Sequence, residues 1–271
     1  MLPITVILPV YHRVTPEEFA RSLASVHSQT SPPKEIIVVA DGPIPDALSQ
    51  SIDAAAASWD ELKVIRLPQN GGVAQAMRAG MDIATHNWVA RQDADDVSLP
   101  ERFELLWPYI ESRKYAAVGG AMLEFADGDP SNVVRTRKLP TDPKELARYV
   151  KTNSPMNNPT VVFDATAVAQ VGGVRDHHFM EDYDLFARLI AGGFALKNID
   201  EPLVLFNASD GMFDRRSTAL LAAAERQMQK NLVRYGLISR PRAVFNYAAR
   251  QTFRALPKPV LKWVYGRLFG S

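Results

Sequence analysis

The sequence contains no cysteine among its 271 residues. Disulfide bonds and thiolate metal sites are therefore excluded, and the composition suits a reducing compartment such as the cytoplasm. Uninterrupted apolar runs of about 18 residues, the length that a membrane-spanning helix requires, are also missing. The N-terminal run LPITVILPVY is too short for the core of a signal peptide and lacks its charged flank, so we interpret it as a buried strand.

Acidic residues are missing from the C-terminal end. From Arg226 to Ser271 there are ten lysines and arginines and no aspartate or glutamate, whereas the preceding residues carry 21 basic and 30 acidic side chains. Residues 240–271 also carry interleaved aromatic side chains, a composition typical of an amphipathic segment on an anionic membrane. The alternative is a helix pair that packs its apolar face on the rest of the protein. Because no nucleic-acid recognition motif is present, we expect no nucleic-acid partner.

Standard phosphate-binding loops are absent as well. The glycine-rich stretch Gln69–Gly80 lacks the Gly-Lys-Ser/Thr ending of a Walker A loop, and its glycines do not follow the GxGxxG spacing. Gly71 and Gly72 instead indicate a loop that passes close to a ligand or to neighbouring backbone.

Short apolar runs and helical patterns alternate through the first hundred residues. Ile4–Val10, Lys34–Asp41, 62–68 and 87–93 read as strands, and each pair is separated by a stretch with helical spacing of apolar residues. This alternation predicts an α/β fold with parallel strands joined by crossover helices. Ligands bind beyond the carboxyl ends of strands in such sheets. Asp41 and the cluster Asp93–Asp96 both follow strands, so we expect them on the same rim.

The acid cluster Asp93-Ala94-Asp95-Asp96 needs a compensating positive charge. Oxygen ligands of this kind suit Mg²⁺ or Mn²⁺, which proteins commonly hold with one or two carboxylates plus substrate phosphates. The alternative is a solvated acidic turn that caps the following helix.

Glu181 and Asp182 open a second segment with helical periodicity. Acids at a helix start are favoured by the helix dipole, and a general base held near a substrate is the functional alternative. His177 and His178 lie just upstream and could contribute polar contacts. Asp41 also allows two interpretations, because an aspartate after a strand can cap a turn or contact a nucleoside.

Six segments in this order resemble the family 2 glycosyltransferases over about residues 3–210. They are VILPVYHR, SVHSQTSPPKEIIVVADG, NGGVAQAMRAG, RQDADD, NNPTVVF and MEDYDLFARL. The resemblance implies a GT-A fold, with a Rossmann-like, mainly parallel sheet flanked by helices. We expect a catalytic domain over residues 1–215, with a nucleotide-sugar half at about 1–96 and an acceptor half at about 97–215. Residues 216–271 would form a helical C-terminal appendage.

The resemblance also implies a role for each matching residue. Asp41 matches the aspartate that hydrogen-bonds the base, usually uracil, although the family's Asp-Asp-Gly-Ser turn reads Ala-Asp-Gly-Pro here. Asp95 matches the direct metal ligand, Asp93 lies nearer the donor ribose or sugar, and Asp96 would lie at the edge of the donor site. The implied donor-binding residues are Pro9, Tyr11, Asp41, Asn70, Gly71, Arg78, Asp93 and Asp95.

On the acceptor side, Asp182 matches the catalytic base of the family. Asn158 stands where relatives often have histidine, and Glu181 and His178 are further acceptor-site candidates. The implied reaction is an inverting transfer from a nucleotide-diphosphate sugar, with Mn²⁺ or Mg²⁺ on Asp95 and Asp93, to a saccharide or lipid-linked hydroxyl. It would serve bacterial cell-envelope or exopolysaccharide synthesis, peripherally on the cytoplasmic face of the membrane.

Three other functions are compatible with acids on an α/β sheet. A phosphatase of the haloacid dehalogenase type needs an aspartate at the end of the first strand, which this chain lacks. A nucleotidyltransferase usually has a glycine-rich, lysine-containing loop there, and VYHRVTPEE is not one. A non-catalytic nucleotide-sugar-binding protein at the membrane would not need Asp182 together with Asp41, Asp93 and Asp95.

Overall fold

The computed structural model describes residues 1–177, 179–208 and 218–255. The strands in these ranges are β1 Leu2–Val10, β2 Pro33–Ala40, β3 Leu62–Arg66, β4 Trp88–Arg91, β5 Val97–Ser98, β6 Ala117–Phe125, β7 Val133–Arg137, β8 Val162–Asp164 and β9 Leu196–Asn207. The helices are α1 Pro16–His27, α2 Asp46–Ser58, α3 Val73–Ile83, α4 Arg102–Glu111, α5 Pro143–Tyr149, α6 Ala165–Gln170, α7 Glu181–Ala191, α8 Thr218–Arg234 and α9 Arg240–Ala255, and a 3-10 turn spans Asn158–Thr160.

The first four strands form the parallel half of one mixed sheet. The strand order is β3-β2-β1-β4-β8-β6-β9-β5, and β7 pairs with β6 off this path. Strands β1 to β4 are mutually parallel, as the alternation of strands and helices predicted. Their carboxyl ends therefore meet at one edge, where Asp41 and the acid cluster begin.

The second half of the sheet is mixed. Strand β8 runs antiparallel to both of its neighbours, β4 and β6, while β6 and β9 are parallel. Gly119 in β6 lets the segment before β8 approach closely, because a Cβ on Gly119 would lie 2.9 Å from Thr160 Oγ1. Asn157 and Thr160 both hydrogen-bond the backbone of Gly120. This anchoring fixes the 3-10 turn beside the sheet.

Apolar side chains cover both faces of the sheet. Alternate residues of β1, such as Val6 and Leu8, pack under α1, α2 and α4, while Ile7 faces the opposite side under α3 and α7. Burial on both faces explains why the strands read as continuous apolar runs rather than as alternating ones.

Local hydrogen bonds fix the start of helix α1. Thr15 accepts a hydrogen bond from the Glu18 amide, and the Glu18 side chain accepts one from the Thr15 amide, which is a complete capping box. Pro16 occupies the first helical turn, where its missing N–H costs nothing.

The C-terminal helices α8 and α9 pack on the preceding body. Met228 and Leu232 of α8 lie in an apolar cluster with Val150 and with Tyr183 and Ala187 of α7. These apolar contacts lie before the predicted amphipathic segment, whose described part, 240–255, contacts the body through polar side chains such as Asn246, which donates to the Lys151 carbonyl at 2.9 Å. The remainder of the segment, 256–271, lies outside the described residues.

A buried polar junction joins α7 to α8 through Asp184. Its carboxylate accepts hydrogen bonds from Tyr235 Oη at 2.6 Å, Asn231 Nδ2 at 3.0 Å and Arg188 Nε at 2.8 Å, and His177 Nδ1 lies 3.8 Å away. Burial alone would raise the pKa of Asp184, but these partners outweigh it and hold the pKa well below its ordinary value. Helix α7, which begins with Glu181 and Asp182, is therefore held by α8 on the side that faces away from the sheet.

Within the described ranges, none of the helices combines the length and the apolar character needed to cross a bilayer.

Candidate active site

A large cleft opens at the carboxyl ends of β1, β2 and β4. Its volume is about 350 Å³, and it is lined by Pro9, Val10, Tyr11, Val14, Asp41, Asn70, Gly72, Val73, Arg91, Asp93, Ala94 and Asp95. The expectation that Asp41 and the acid cluster share one rim is therefore met. Pro9, Tyr11 and Asn70, three other predicted donor-binding residues, line the same cleft.

The chain after β4 alternates between cleft and interior. Arg91, Asp93 and Asp95 are half-buried and line the cleft, whereas Gln92, Ala94 and Asp96 are almost fully buried. Ala94 and Asp95 are the central residues of a tight turn, in which the Asp96 amide donates to the Asp93 carbonyl at 3.1 Å. Asp93 and Asp95 line the same cleft around this turn.

A polar network lies beneath the acid turn. Gln92 Oε1 accepts hydrogen bonds from Ser98 Oγ at 2.7 Å and from Arg102 Nη1 at 2.9 Å. Gln92 Nε2 donates to the carbonyls of Asp93 and Asp96, and Ser22 Oγ also donates to the Asp93 carbonyl. The acid turn is thereby held from below by side chains on α1, β5 and α4.

Arg102 is one of the positive charges that this cluster requires. The side chain is fully buried, and its Nη2 donates to the Arg91 carbonyl at 2.9 Å. Burial lowers the pKa of Arg102 to about 10, with the charges of Asp96 and Asp93 acting in the opposite direction. Arg102 therefore stays a cation at neutral pH and offsets part of the repulsion among the acids.

Asp96 differs from the expectation that it lies at the edge of the donor site. It is 1% exposed, and its Oδ1 accepts a hydrogen bond from the Asn207 amide at 2.8 Å. Burial raises the pKa of Asp96 well above its ordinary value, and Asp93 and Asp95 add to the effect. Asp96 follows the turn at Ala94 and Asp95, and its inward side chain ties the acid turn to the end of β9 instead of facing the cleft.

Arg91 supplies the second positive charge, on the cleft side. Its Nε and Nη2 donate to the two oxygens of Asp93 at 2.6 and 3.0 Å, which is a bidentate ion pair. Burial alone would lower the pKa of Arg91, but the charges of Asp93, Glu181 and Asp182 raise it. Reasoning from the sequence missed Arg91, although its spacing of two and four residues from Asp93 and Asp95 was a usable signal.

Asp41 organises the loop that precedes α3. Its two carboxylate oxygens accept hydrogen bonds from the amides of Gly71 and Gly72 at 2.8 and 2.9 Å, and Asn70 Nδ2 donates to its carbonyl. Gly42 has a φ of +83°, and a Cβ there would lie 2.5 Å from the Asn70 amide nitrogen. Asp41 therefore has a structural role at the wall of the cleft, and contact with a base remains a prediction.

A small pocket adjoins the cleft on the side of α7. It has a volume of about 30 Å³, the space of one water molecule, and it contains Asn158, Glu181 and Asp182. Apolar side chains from α3, β8 and α7 form most of the remaining wall. The structure thus brings together three of the residues predicted for the base and the acceptor site.

The environment of Asp182 suits a proton acceptor. Burial raises the pKa of Asp182, opposed by the Tyr183 amide and by the charge of Arg91. Burial also raises the pKa of Glu181, and the neighbouring charge of Asp182 adds to that shift. A raised carboxylate pKa lies closer to neutral pH, where a general base works best.

The other predicted site residues lie elsewhere. Arg78 is exposed, and its Nη1 donates to the Val174 carbonyl at 3.0 Å instead of lining the cleft. Gly71 acts through its backbone amide on Asp41. His178 lies outside the described residues.

The carboxylates of the acid turn suit a hard divalent cation if phosphate oxygens of a bound ligand complete its coordination. Among the described residues, no group of three His, Asp or Glu side chains lies close enough to hold a metal alone. Asp93 and Asp95 nevertheless line one wall of a cleft with room for a diphosphate, and two carboxylates plus phosphate oxygens are a common Mg²⁺ arrangement.

Solved structures with this architecture define the class of the fold. The crystal structure of S. aureus TarS residues 1–349 matches with a TM-score of 0.63 at 19% identity, over 85% of this chain and 65% of that chain. The TarS complex with UDP matches with a TM-score of 0.61 over the same shares of the two chains. The mixed sheet, the flanking helices and the cleft at the strand ends are those of a GT-A fold, which confirms the predicted fold class.

The sequence relationship is equally specific. Residues 5–166 match Glycosyl transferase family 2, and this chain belongs to that family. The amylovoran biosynthesis glycosyltransferase AmsE of Erwinia amylovora is 31% identical over 96% of this chain and 97% of its own. The UDP-Gal:alpha-D-GlcNAc-diphosphoundecaprenol beta-1,3-galactosyltransferase of Escherichia coli is 27% identical over 97% and 95% of the two chains. The protein is therefore a glycosyltransferase, and the phosphatase, nucleotidyltransferase and non-catalytic alternatives are set aside.

Proposed function

We propose that this enzyme transfers a sugar, with inversion, from a nucleotide diphosphate to a hydroxyl of a saccharide or lipid-linked acceptor. The observation that carries the proposal is the contact between the large cleft, with its acid turn, and the small pocket, with the half-buried carboxylate of Asp182. We assign residues 1–96 to the donor half, 97–215 to the acceptor half and 216–271 to the appendage.

The donor we propose is a UDP-sugar. The large cleft has room for part of a nucleotide diphosphate, and Pro9, Tyr11 and Asp41 provide one apolar and one anionic wall for the base. The solved TarS complexes with UDP and UDP-GlcNAc, of the same fold, are consistent with this choice. The diphosphate would then lie towards Asp93 and Asp95.

A divalent cation, Mn²⁺ or Mg²⁺, would neutralise charge on the departing diphosphate when bound at Asp95 and Asp93. The chain itself contributes the geometry and the proton acceptor. Asp182 would take the proton of the acceptor hydroxyl as that oxygen bonds to the anomeric carbon from the face opposite the diphosphate. One displacement inverts the configuration and needs no covalent intermediate with the enzyme.

The biological setting we propose is the synthesis of a bacterial envelope polysaccharide or exopolysaccharide. AmsE is named for amylovoran biosynthesis, and the E. coli relative is named for an acceptor carried on diphosphoundecaprenol. Both relatives align over nearly the whole chain, C-terminal segment included. A lipid-linked acceptor would require the enzyme to work beside a membrane.

The α9 helix is the surface that we propose for peripheral membrane contact. Val244 and Phe245 are 69% and 65% exposed, and Arg240 and Arg242 beside them are exposed as well. Apolar side chains flanked by cations suit the headgroup region of an anionic bilayer. Co-sedimentation with anionic vesicles measures this contact.

The reaction is tested with a panel of UDP-, GDP- and dTDP-sugars, Mn²⁺ or Mg²⁺, and saccharide and polyprenyl-linked acceptors, with products identified by mass. Asp182→Asn should lower transfer at least about 1,000-fold while UDP binding by calorimetry changes less than about threefold, because the base acts only on the acceptor. Asp95→Ala should instead abolish metal-dependent UDP binding. Near-normal turnover of Asp182→Asn would overturn the assignment of the base.

A further inference from the structure

Arg91 lies where the two cavities meet. Among the described residues, only Arg91 and Val73 line both the large cleft and the small pocket, so Arg91 provides the polar part of their junction. In an inverting displacement the anomeric carbon must lie between the departing diphosphate and the base. The transferred sugar must therefore lie at this junction during the reaction.

The position of Arg91 is fixed on both sides of its backbone. It is the last residue of β4 and pairs with Ile7 of β1, and its carbonyl accepts a hydrogen bond from the buried Arg102. Its side chain is held by the bidentate pair with Asp93 and is 16% exposed. The guanidinium is thus oriented before any ligand enters the cleft.

The donors of this guanidinium are only partly used. A guanidinium carries five N–H groups, and the hydrogen bonds that Arg91 makes within the described residues go from Nε and Nη2 to Asp93. Donors therefore remain for an oxygen at the junction, such as a sugar hydroxyl or a diphosphate oxygen. Asp93 lies towards the cleft, and Glu181 and Asp182 lie towards the pocket. Their negative charges raise the pKa of Arg91, so its side chain stays a cation.

We infer that Arg91 is a substrate-positioning residue, which holds the sugar end of the donor in line between the acid turn and Asp182. This inference rests on the proposed transfer reaction and adds to it a residue and a contact with the transferred sugar. The planar fork matters as well as the charge, because it can bond Asp93 with one edge and a ligand with its other donors. An ammonium group cannot reproduce both contacts.

The experiment compares Arg91→Lys and Arg91→Met with the unmodified chain and with Arg66→Lys. Arg66 forms an exposed ion pair with Asp53 at the outer strand β3, 2.8 Å between Nη2 and Oδ1, so it controls for loss of a guanidinium as such. We expect Arg91→Lys to lower kcat at least about 10-fold with a donor KM within about threefold of the unmodified chain, and Arg91→Met to lower it further. Arg66→Lys should behave as the unmodified chain.

Two further measurements separate positioning from a structural role. Thermal unfolding and UDP affinity should be near normal in Arg91→Lys, while the fraction of donor lost to water instead of transferred to acceptor should rise at least about threefold. If Arg91→Lys weakened UDP binding and lowered the melting temperature but kept kcat, Arg91 would only support the acid turn and the inference would be overturned.

The inference and the proposed function fail in different ways. Normal kcat and normal partitioning in Arg91→Lys, beside an inactive Asp182→Asn, would overturn the inference alone. Lack of transfer by the unmodified chain with every donor and acceptor in the panel would overturn the proposed function, and the inference with it.

Discussion

At the scale of single residues, Asp182 carries a pH dependence that an exposed aspartate would not show. Burial raises its pKa, and an essential base must be ionised. The acid limb of kcat/KM should therefore lie above the ordinary aspartate value of about 3.9, and activity should fall as pH drops through that raised pKa. A pH profile of kcat/KM measures this.

Glu181→Gln provides the control for that profile. Removing a negative charge next to Asp182 should make ionisation of Asp182 easier, so the acid limb should move to lower pH. An acid limb that stayed unchanged in Glu181→Gln and lay at the ordinary aspartate value would contradict the assignment of Asp182.

The residue scale also shows what the sequence could and could not predict. Asp41 and the acid cluster each follow a strand, which predicted one shared rim, and the structure places Asp41, Asp93 and Asp95 in one cleft. Asp96 could not be assigned from its neighbours in sequence, because its hydrogen-bond donor is the amide of Asn207 at the end of β9. Long-range partners of this kind have no local signature in one sequence.

At the scale of elements, local signals predicted most of the first half. Continuous apolar runs marked buried parallel strands, and the stretches of helical spacing between them marked the crossover helices. The second half was harder because β8 has only three residues, and its place between β4 and β6 depends on tertiary pairing. The α7–α8 junction is a tertiary feature of the same kind.

Tyr235→Phe tests that junction. It removes a 2.6 Å hydrogen bond to the buried carboxylate of Asp184, so we expect a loss of about 1.5 to 3 kcal/mol in the free energy of unfolding. For a protein of this size that loss corresponds to a fall in melting temperature of about 3 to 10 °C. Tyr247→Phe is the matched control, since its hydroxyl makes a longer, exposed contact at 3.3 Å with Arg226. Equal melting temperatures for the two variants would contradict a stabilising junction.

The same junction is sensitive to pH through His177. Burial alone would lower the pKa of His177, but Asp184 and the Ala224 carbonyl outweigh it and raise the pKa. The contribution of His177 to stability is therefore complete below about pH 6.5 and is lost as pH rises through the raised value. Asp184 has a lowered pKa, so its contribution is lost only in acid, below about pH 4.

At the scale of the whole molecule, the basic C-terminal region divides between internal and external contacts. Arg250 turns inward, where it donates to the buried carboxylate of Glu225 at 2.9 Å and to Asn153. Arg240 and Arg242 remain exposed beside Val244 and Phe245. The charge asymmetry seen in the sequence thus serves packing as well as the proposed membrane surface.

Val244→Ser/Phe245→Ser in the full chain tests the membrane surface. Loss of two exposed apolar anchors should reduce co-sedimentation with phosphatidylglycerol vesicles at least about fivefold, because each buried apolar side chain contributes about 1.5 to 3 kcal/mol. Transfer to a short water-soluble acceptor should not change. Ile83→Ser, at an exposed position on α3, is the matched control. Equal sedimentation of the double variant and the unmodified chain would remove α9 from the proposal.

The network of Gln92, Ser98 and Arg102 has a consequence for how ligands are received. Because side-chain hydrogen bonds already hold the floor of the acid turn, an arriving nucleotide meets a preorganised wall and has little local disorder to remove. Many sites built from loops lose conformational entropy each time a ligand binds. Here the acid turn loses that entropy once, when the chain folds.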